Sequence, residues 1–208
     1  MAQFFSVHPR NPQQRLIGQA VEIVKAGGVI VYPTDSCYAL GCRIGDKGAM
    51  ERIRSIREID DKHHLTLVCR DLSSISHYAQ VDNRQYRLLK ASTPGSYTFI
   101  LRATREVPKR LQHPKRNTIG IRIPDHPVVQ HLLDALGEPL LSSTLMLPDD
   151  ELPLNDAESI RERLQSRVDL IMDSGACGLE MTTVIDLTED PPTLLRKGNG
   201  SLSPFGIE

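Results

Sequence analysis

Apolar residues Leu16, Ile17, Ala20, Ile23 and Val24 recur at three- and four-residue intervals between Asn11-Pro12 and Gly27, the spacing of one buried helical face. With Asn11 as cap, Pro12 in the first turn and a C-terminal glycine, this predicts a first helix. The same period returns over residues 47–58, with Met50, Ile53 and Ile56 inward, Glu51, Arg52, Arg54 and Ser55 toward solvent, and Arg57 near the end. Helical patterns also cover residues 82–91, 127–135 and 156–165. Shorter β-branched runs bounded by turn residues predict strands at 29–32, 65–69, 97–101, 118–123, 140–144, 168–172 and 183–187. Strands and helices alternate irregularly, which predicts an α/β fold with a twisted mixed β-sheet packed by helices rather than a doubly wound parallel sheet.

The strand at 29–32 ends abruptly. Pro33 cannot donate a ladder hydrogen bond, so pairing stops and Thr34, Asp35 and Ser36 stand at the strand's carboxyl end, where ligands bind in α/β sheets. The same residues are also an ordinary way to leave a strand.

At 208 residues with no break in composition, the chain reads as a single domain over 1–208. No apolar run approaches the ~20 residues that span a bilayer, and Met1 to Ser6 lacks a basic region followed by an apolar one. A soluble, cytoplasmic protein without a membrane partner is expected. The net charge is −1, so any polyanion site must be a local patch. Cys37 and Cys42 form a C-x4-C pair with no second pair, while Cys69 and Cys177 stand apart. Reduced thiols and no metal site are expected.

No Walker loop or Gly-x-Gly-x-x-Gly occurs, so side chains must hold any phosphate. Arg57, Arg122 and Arg196 sit at element ends or in apolar strands. Arg122 is the most suggestive, because an arginine within an apolar strand needs an anion or a carboxylate; Asp125 is one candidate partner, and an outward edge position is the other reading. His63 and His64, after Asp60-Asp61-Lys62, read as metal ligands, a proton-transfer group or a solvated turn. Lys109, Arg110, Lys115 and Arg116, with Arg102 and Arg105 nearby, form the densest positive stretch. They could face an RNA backbone, although the chain has no Trp and few aromatics for base stacking, and a solvated face is the plainer reading. No nucleophile elbow supports covalent hydrolase chemistry.

The string Tyr32-Pro33-Thr34-Asp35-Ser36-Cys37-Tyr38-Ala39-Leu40-Gly41 resembles the signature of the YrdC-like threonylcarbamoyl-adenylate synthase family, with Ala39 where that family usually has Gly. Thr93-Pro94-Gly95-Ser96-Tyr97-Thr98-Phe99, Gly120-Ile121-Arg122-Ile123-Pro124-Asp125-His126-Pro127, the block from Pro139 to Thr144, Thr182-Thr183-Val184-Ile185-Asp186 and Arg196-Lys197-Gly198 are similar to further family blocks in the same order. The resemblance thus covers nearly the whole chain. Thr144-Leu145-Met146-Leu147-Pro148 and the opening Gln3-Phe4-Phe5 resemble its YciO branch.

The resemblance implies a YrdC-like fold with a concave, positively lined face. It also implies ATP with Mg2+, L-threonine and bicarbonate as substrates for threonylcarbamoyl-adenylate, the donor in a tRNA modification. Arg57, Arg122 and Thr144 are its implied catalytic residues, and Thr34, Tyr38, Thr98, Ser142 and Arg196 its implied nucleotide-binding ones. The carbamate of threonine would attack the α-phosphorus while arginines and Mg2+ neutralise the phosphates. The family's Lys-x-Arg and Ser-x-Asn motifs are eroded. Arg57 and Ile59 stand in the first, Thr144 and Met146 in the second, and neither Ile59 nor Met146 has a side chain that can hold a charged substrate group. A weak or divergent synthase is therefore one expectation. The other is a non-catalytic module that binds tRNA, rRNA or double-stranded RNA on the same face.

Overall fold

The computed structural model describes residues 1–60 and 63–207. One mixed sheet carries eleven strands: β1 (Gln3–Ser6), β2 (Ile30–Tyr32), β3 (Ala39–Arg43), β4 (Thr66–Val68), β5 (Ala79–Gln80), β6 (Tyr97–Ala103), β7 (Thr118–Arg122), β8 (Leu140–Thr144), β9 (Leu170–Asp173), β10 (Thr183–Asp186) and β11 (Thr193–Arg196). Their order is β1-β9-β2-β3-β8-β4-β7-β6-β10-β11, with β5 beside β6. Both parallel and antiparallel pairs occur, as the irregular alternation implied.

Among the described residues six α-helices pack on it: α1 (Gln14–Lys25), α2 (Lys47–Arg57), α3 (Leu72–Tyr78), α4 (Asn83–Ser92), α5 (Pro127–Leu136) and α6 (Ala157–Leu164). The helix from the first apolar repeat forms, but it starts later than expected. Gln13, not Asn11, is the cap, and it makes no side-chain capping bond; its amide instead accepts the His8 N–H at 3.0 Å. Asp46, Asp71, Asp82 and Asp156 each cap a helix by accepting a backbone N–H, satisfying donors that a helix start leaves orphaned. On α2, Met50, Ile53 and Ile56 are buried as their spacing required. Arg54 is a correction: its side chain is only 12% exposed and pairs with Glu51.

The two faces of the sheet are covered unequally, and this positions the site. Helices α2, α3, α4 and α6 pack Met50, Ile53, Ile75, Leu89 and Ile160 against Leu40, Leu67, Phe99, Ile121 and Leu141. On the opposite face, among the described residues, only α1 and α5 pack, over Ile30, Tyr32, Val68, Leu140 and Leu170. The remainder of that face carries Thr66, Thr98, Gly120, Ser142 and Val184. A side-chain period of two sends these residues to the uncovered side while their apolar neighbours fill the core.

Candidate functional site

The uncovered face holds a cavity of about 220 Å3. Ladder register builds its floor: Gly41 pairs with Ser142, Ser142 with Thr66, Thr66 with Gly120, and Gly120 with Ile100. Gly120 keeps the floor low, since a Cβ there would lie 3.4 Å from both Thr66 Oγ1 and Thr98 Cγ2. Gly41 makes room for the Tyr32 ring, which a Cβ would meet at 2.7 Å. Tyr32 donates to Ser142 Oγ at 2.6 Å, and Ser142 donates to the Leu40 carbonyl at 2.9 Å. Burial raises the Tyr32 phenol to about 12, so it stays a donor.

Six of the eight residues expected to act or to bind nucleotide line this cavity: Arg57, Thr98, Arg122, Ser142, Thr144 and Arg196. Arg57, in the last turn of α2, donates from Nε to the Met146 carbonyl at 2.9 Å and from Nη1 to Ser143 Oγ at 2.6 Å. Arg196, on β11, donates from Nη2 to the Thr182 carbonyl at 3.0 Å and to Thr182 Oγ1 at 3.1 Å. Thr182 in turn shares a 2.9 Å hydrogen bond with Thr98. Both guanidiniums have lowered pKa values, by burial first and then by a neighbouring arginine: Arg196 acting on Arg57, and Arg122 acting on Arg196, where Cys37 works in the opposite sense.

Arg122 is 6% exposed and is paired. Its partner is Asp35, not Asp125: Nη2 lies 2.5 Å from Asp35 Oδ1, and Nη1 donates to Ser36 Oγ at 3.4 Å. Its buried Nε makes no hydrogen bond.

Two expected pocket residues stand elsewhere. Thr34 accepts the N–H groups of Ser36 and Cys37 and donates to the Cys37 carbonyl at 2.6 Å, so its hydroxyl shapes the loop after β2. Tyr38 is fully buried and donates to the Gly175 carbonyl at 2.7 Å; burial raises its pKa. Neither is among the residues lining the cavity.

The basic stretch is partly consumed by the fold. Arg116 donates to Asp186 Oδ2 at 2.6 Å and to Thr188 Oγ1 at 3.0 Å, and Arg110 bonds the Gly45 carbonyl. Lys109 and Lys115 are exposed on the same connection. Among the described residues no group of three or more His, Cys, Asp or Glu could hold a metal ion. The four thiols are free, three buried and Cys177 half-buried.

His63 and His64, read as either chemistry or a solvated turn, line the cavity; the intervening Asp61 and Lys62 lie outside the described residues. Ser143, Thr66 and Thr182 are further lining residues that the motifs did not single out. Thr66 had a visible signal, a polar residue alternating with Leu65 and Leu67 in a strand. Ser143 had none, because only the reach of Arg57 from another element gives it a role. A wider surface groove of about 390 Å3 runs past Arg70, Asp71, His77 and Glu138. Its charges pair off: Arg70 with Asp71 and Asp134, Glu138 with Arg43.

A family model described as telomere recombination, and named for Sua5, YciO and YrdC, matches residues 22–198. The chain belongs to the Sua5/YciO/YrdC family. The uncharacterized protein YciO of Escherichia coli K12 is 60% identical over 205 residues, 99% of this chain and 100% of that one. The E. coli YciO crystal structure superposes with a TM-score of 0.95 over 99% of this chain and 100% of that chain. A threonylcarbamoyl-AMP synthase of Vibrio vulnificus is 29% identical over 157 residues, covering 74% of this chain and 83% of its own. Sua5 of P. abyssi, in its complex with L-threonine, shares the fold at a TM-score of 0.86 and 24% identity over 94% of this chain and 57% of that one. The mixed α/β architecture is therefore that of YciO and Sua5. No helix among the described residues is long and apolar enough to cross a membrane.

Proposed function

We propose that this chain is a nucleotide-binding enzyme of the threonylcarbamoyl-AMP synthase type, divergent in its substrate contacts. The observation that carries this reading is a cavity with three guanidiniums and no acidic side chain among its described lining residues. Such a site attracts phosphates, and low local dielectric strengthens each contact. Arg57 and Arg196 are held by neutral carbonyls and hydroxyls, so neither spends its charge on a carboxylate in the bonds described above. The threonylcarbamoyl-AMP synthases among the curated relatives, and the L-threonine complex of P. abyssi Sua5, favour threonine as one occupant; ATP is proposed as the other because the product of such a synthase is an adenylate.

In this reading Arg57 and Arg196 orient the triphosphate and neutralise charge as a carbamate oxygen of the amino acid bonds to the α-phosphorus and pyrophosphate departs. Thr98, Thr144 and Thr182 supply hydroxyls to the carbamate and ribose. Mg2+ enters with the phosphates as part of the substrate, and bicarbonate supplies the carbamate carbon. The protein contributes position and charge, with no covalent intermediate.

Pyrophosphate release from ATP that needs both threonine and bicarbonate is the expected result. ATP binding without such release would favour the rival reading, a non-catalytic module that holds tRNA or double-stranded RNA on the same face. That reading draws on Ile59 and Met146 standing at the two eroded positions.

A further inference from the structure

Two imidazoles line the cavity, and a third packs beside one of them from outside its lining. The two lining it are His63 and His64. His113, from the connection between β6 and β7, places its ring centroid 4.9 Å from that of His64 at a 44° tilt. His113 is committed to its own turn: Nδ1 accepts the backbone N–H of Lys115 at 3.3 Å and of Arg116 at 3.2 Å, so its proton sits on Nε2. His64 faces His113 and Arg54. His63 is placed differently, because the charges bearing on it are the anion-binding guanidiniums themselves, Arg57 from the end of α2 and Arg196 from β11, together with His64 and the carboxylate of Asp60 on its own loop. Arg122 lines the same cavity from β7.

This placement has an electrostatic consequence. Partial burial, two arginines and His64 hold His63 below its ordinary pKa, with Asp60 opposing them, so the empty cavity keeps it neutral near pH 7. A dianion seated between Arg57 and Arg196 cancels the field that repels a proton and adds its own attraction. The imidazolium then becomes a charge-assisted donor to the ligand. Affinity and protonation are linked reciprocally, since whatever raises the proton affinity of His63 on binding must tighten binding when the proton is present.

We propose that His63 is a proton-dependent member of the anion site: it binds the phosphate-bearing ligand as an imidazolium, taking one proton from solvent as the ligand enters between Arg57 and Arg196. The proposal rests on the anion-binding part of the function above and not on the synthase chemistry.

Inorganic sulfate is the probe, because it remains a dianion from pH 5 to 8 and so reports only the protein's protons. Proton NMR of the imidazole Cε1–H groups, with His63→Gln to assign the His63 signal, follows each histidine with and without saturating sulfate. The His63 midpoint is expected to rise by about one pH unit, while that of His64 moves less. Sulfate affinity is expected to fall by about tenfold in all as pH rises through the free and bound midpoints, and to level off above them. His63→Gln flattens that dependence, His64→Gln retains it, and Arg57→Ala abolishes the His63 shift. An unmoved His63 midpoint in saturating sulfate, an unchanged pH slope in His63→Gln, or no sulfate binding at pH 5.5 would each overturn the proposal. If the shift appears but threonine- and bicarbonate-dependent pyrophosphate release does not, the synthase reading fails and the role of His63 stands. If release occurs while His63→Gln leaves the sulfate slope unchanged, the role of His63 fails alone.

Discussion

Arg122 Nη2 and Asp35 Oδ1 meet at 2.5 Å across 87 residues of sequence, with both side chains no more than 10% exposed. The contact ties the end of β7 to the signature loop after β2, two segments whose strands are not neighbours in the sheet. It keeps a guanidinium at the cavity wall while neutralising most of its burial cost.

Breaking this pair from either side leaves a buried charge uncompensated. Arg122→Ala and Asp35→Asn are each expected to destabilise the fold by about 3–5 kcal/mol. The double variant should cost less than the sum of the two, because it removes both charges. Urea unfolding of the four proteins measures the coupling, and strict additivity would show that the pair does not interact.

The Arg57 fork is the second test. Arg57→Ala removes a hydrogen bond to a charged group, worth about 1.5–3 kcal/mol when formed to a phosphate, so ATP affinity should drop by roughly tenfold to a hundredfold. Ser143→Ala should weaken binding less, since it loosens Arg57 without removing its charge. Titration of ATP with Mg2+ by calorimetry reads both; equal affinity in Arg57→Ala would remove it from the site.

Restoring polar groups at the eroded positions should raise activity. Ile59 follows the left-handed Glu58 at the end of α2 and packs partly against the core, and the Met146 carbonyl is held by Arg57. Neither native side chain lines the cavity, and Ile59→Arg with Met146→Asn adds a forked donor and an amide on the two segments that Arg57 ties together. One such bond formed mainly in the transition state gives about a tenfold or greater gain in threonine-dependent pyrophosphate release. No gain in a folded, ATP-binding double variant would mean the cavity serves another ligand.

Asp186 gives an acid limit to stability. Burial alone would raise its pKa, but hydrogen bonds from Thr188 and Arg116 prevail and hold it below the usual carboxylate value. A depressed folded-state value means that stability is fully present above the unfolded carboxylate pKa, near 4, and is lost as pH falls through the folded value. Arg116→Ala should therefore destabilise the protein at pH 7 by about 1–3 kcal/mol and shrink the acid-dependent part of the unfolding curve. Thermal unfolding from pH 7 to pH 3 checks both.

Gly198 holds the wall behind Arg196. A Cβ there would stand 2.2 Å from the Met181 carbonyl oxygen and 2.6 Å from that of Thr182, and both are backbone atoms that cannot turn aside. Gly198→Ala is expected to cost about 1–3 kcal/mol and to weaken ATP binding by shifting the Thr182 carbonyl that orients Arg196. Unchanged affinity at reduced stability would separate the wall from the site.

The sequence by itself determined five of the six helices described, all but α3 (Leu72–Tyr78), most of the central strands and the placement of Thr34, Asp35 and Ser36 just after a strand, because periodicity and proline are local. It also marked Arg57, Arg122 and Arg196 as phosphate candidates, and all three line one cavity. It did not reveal the short edge strands β1 and β5, nor β3 or β11. Ala39-Leu40-Gly41-Cys42-Arg43 and Thr193-Leu194-Leu195-Arg196 lack a β-branched apolar run, and each is a strand because a neighbouring strand offers it a ladder. Tertiary structure alone chose Asp35 over Asp125 as the partner of Arg122, turned Tyr38 inward, drew Arg116 onto Asp186 and brought His63 into the cavity lining. Each of these depends on which distant segments a strand order brings together, and strand order is fixed by packing over the whole sheet, which no window of local sequence contains.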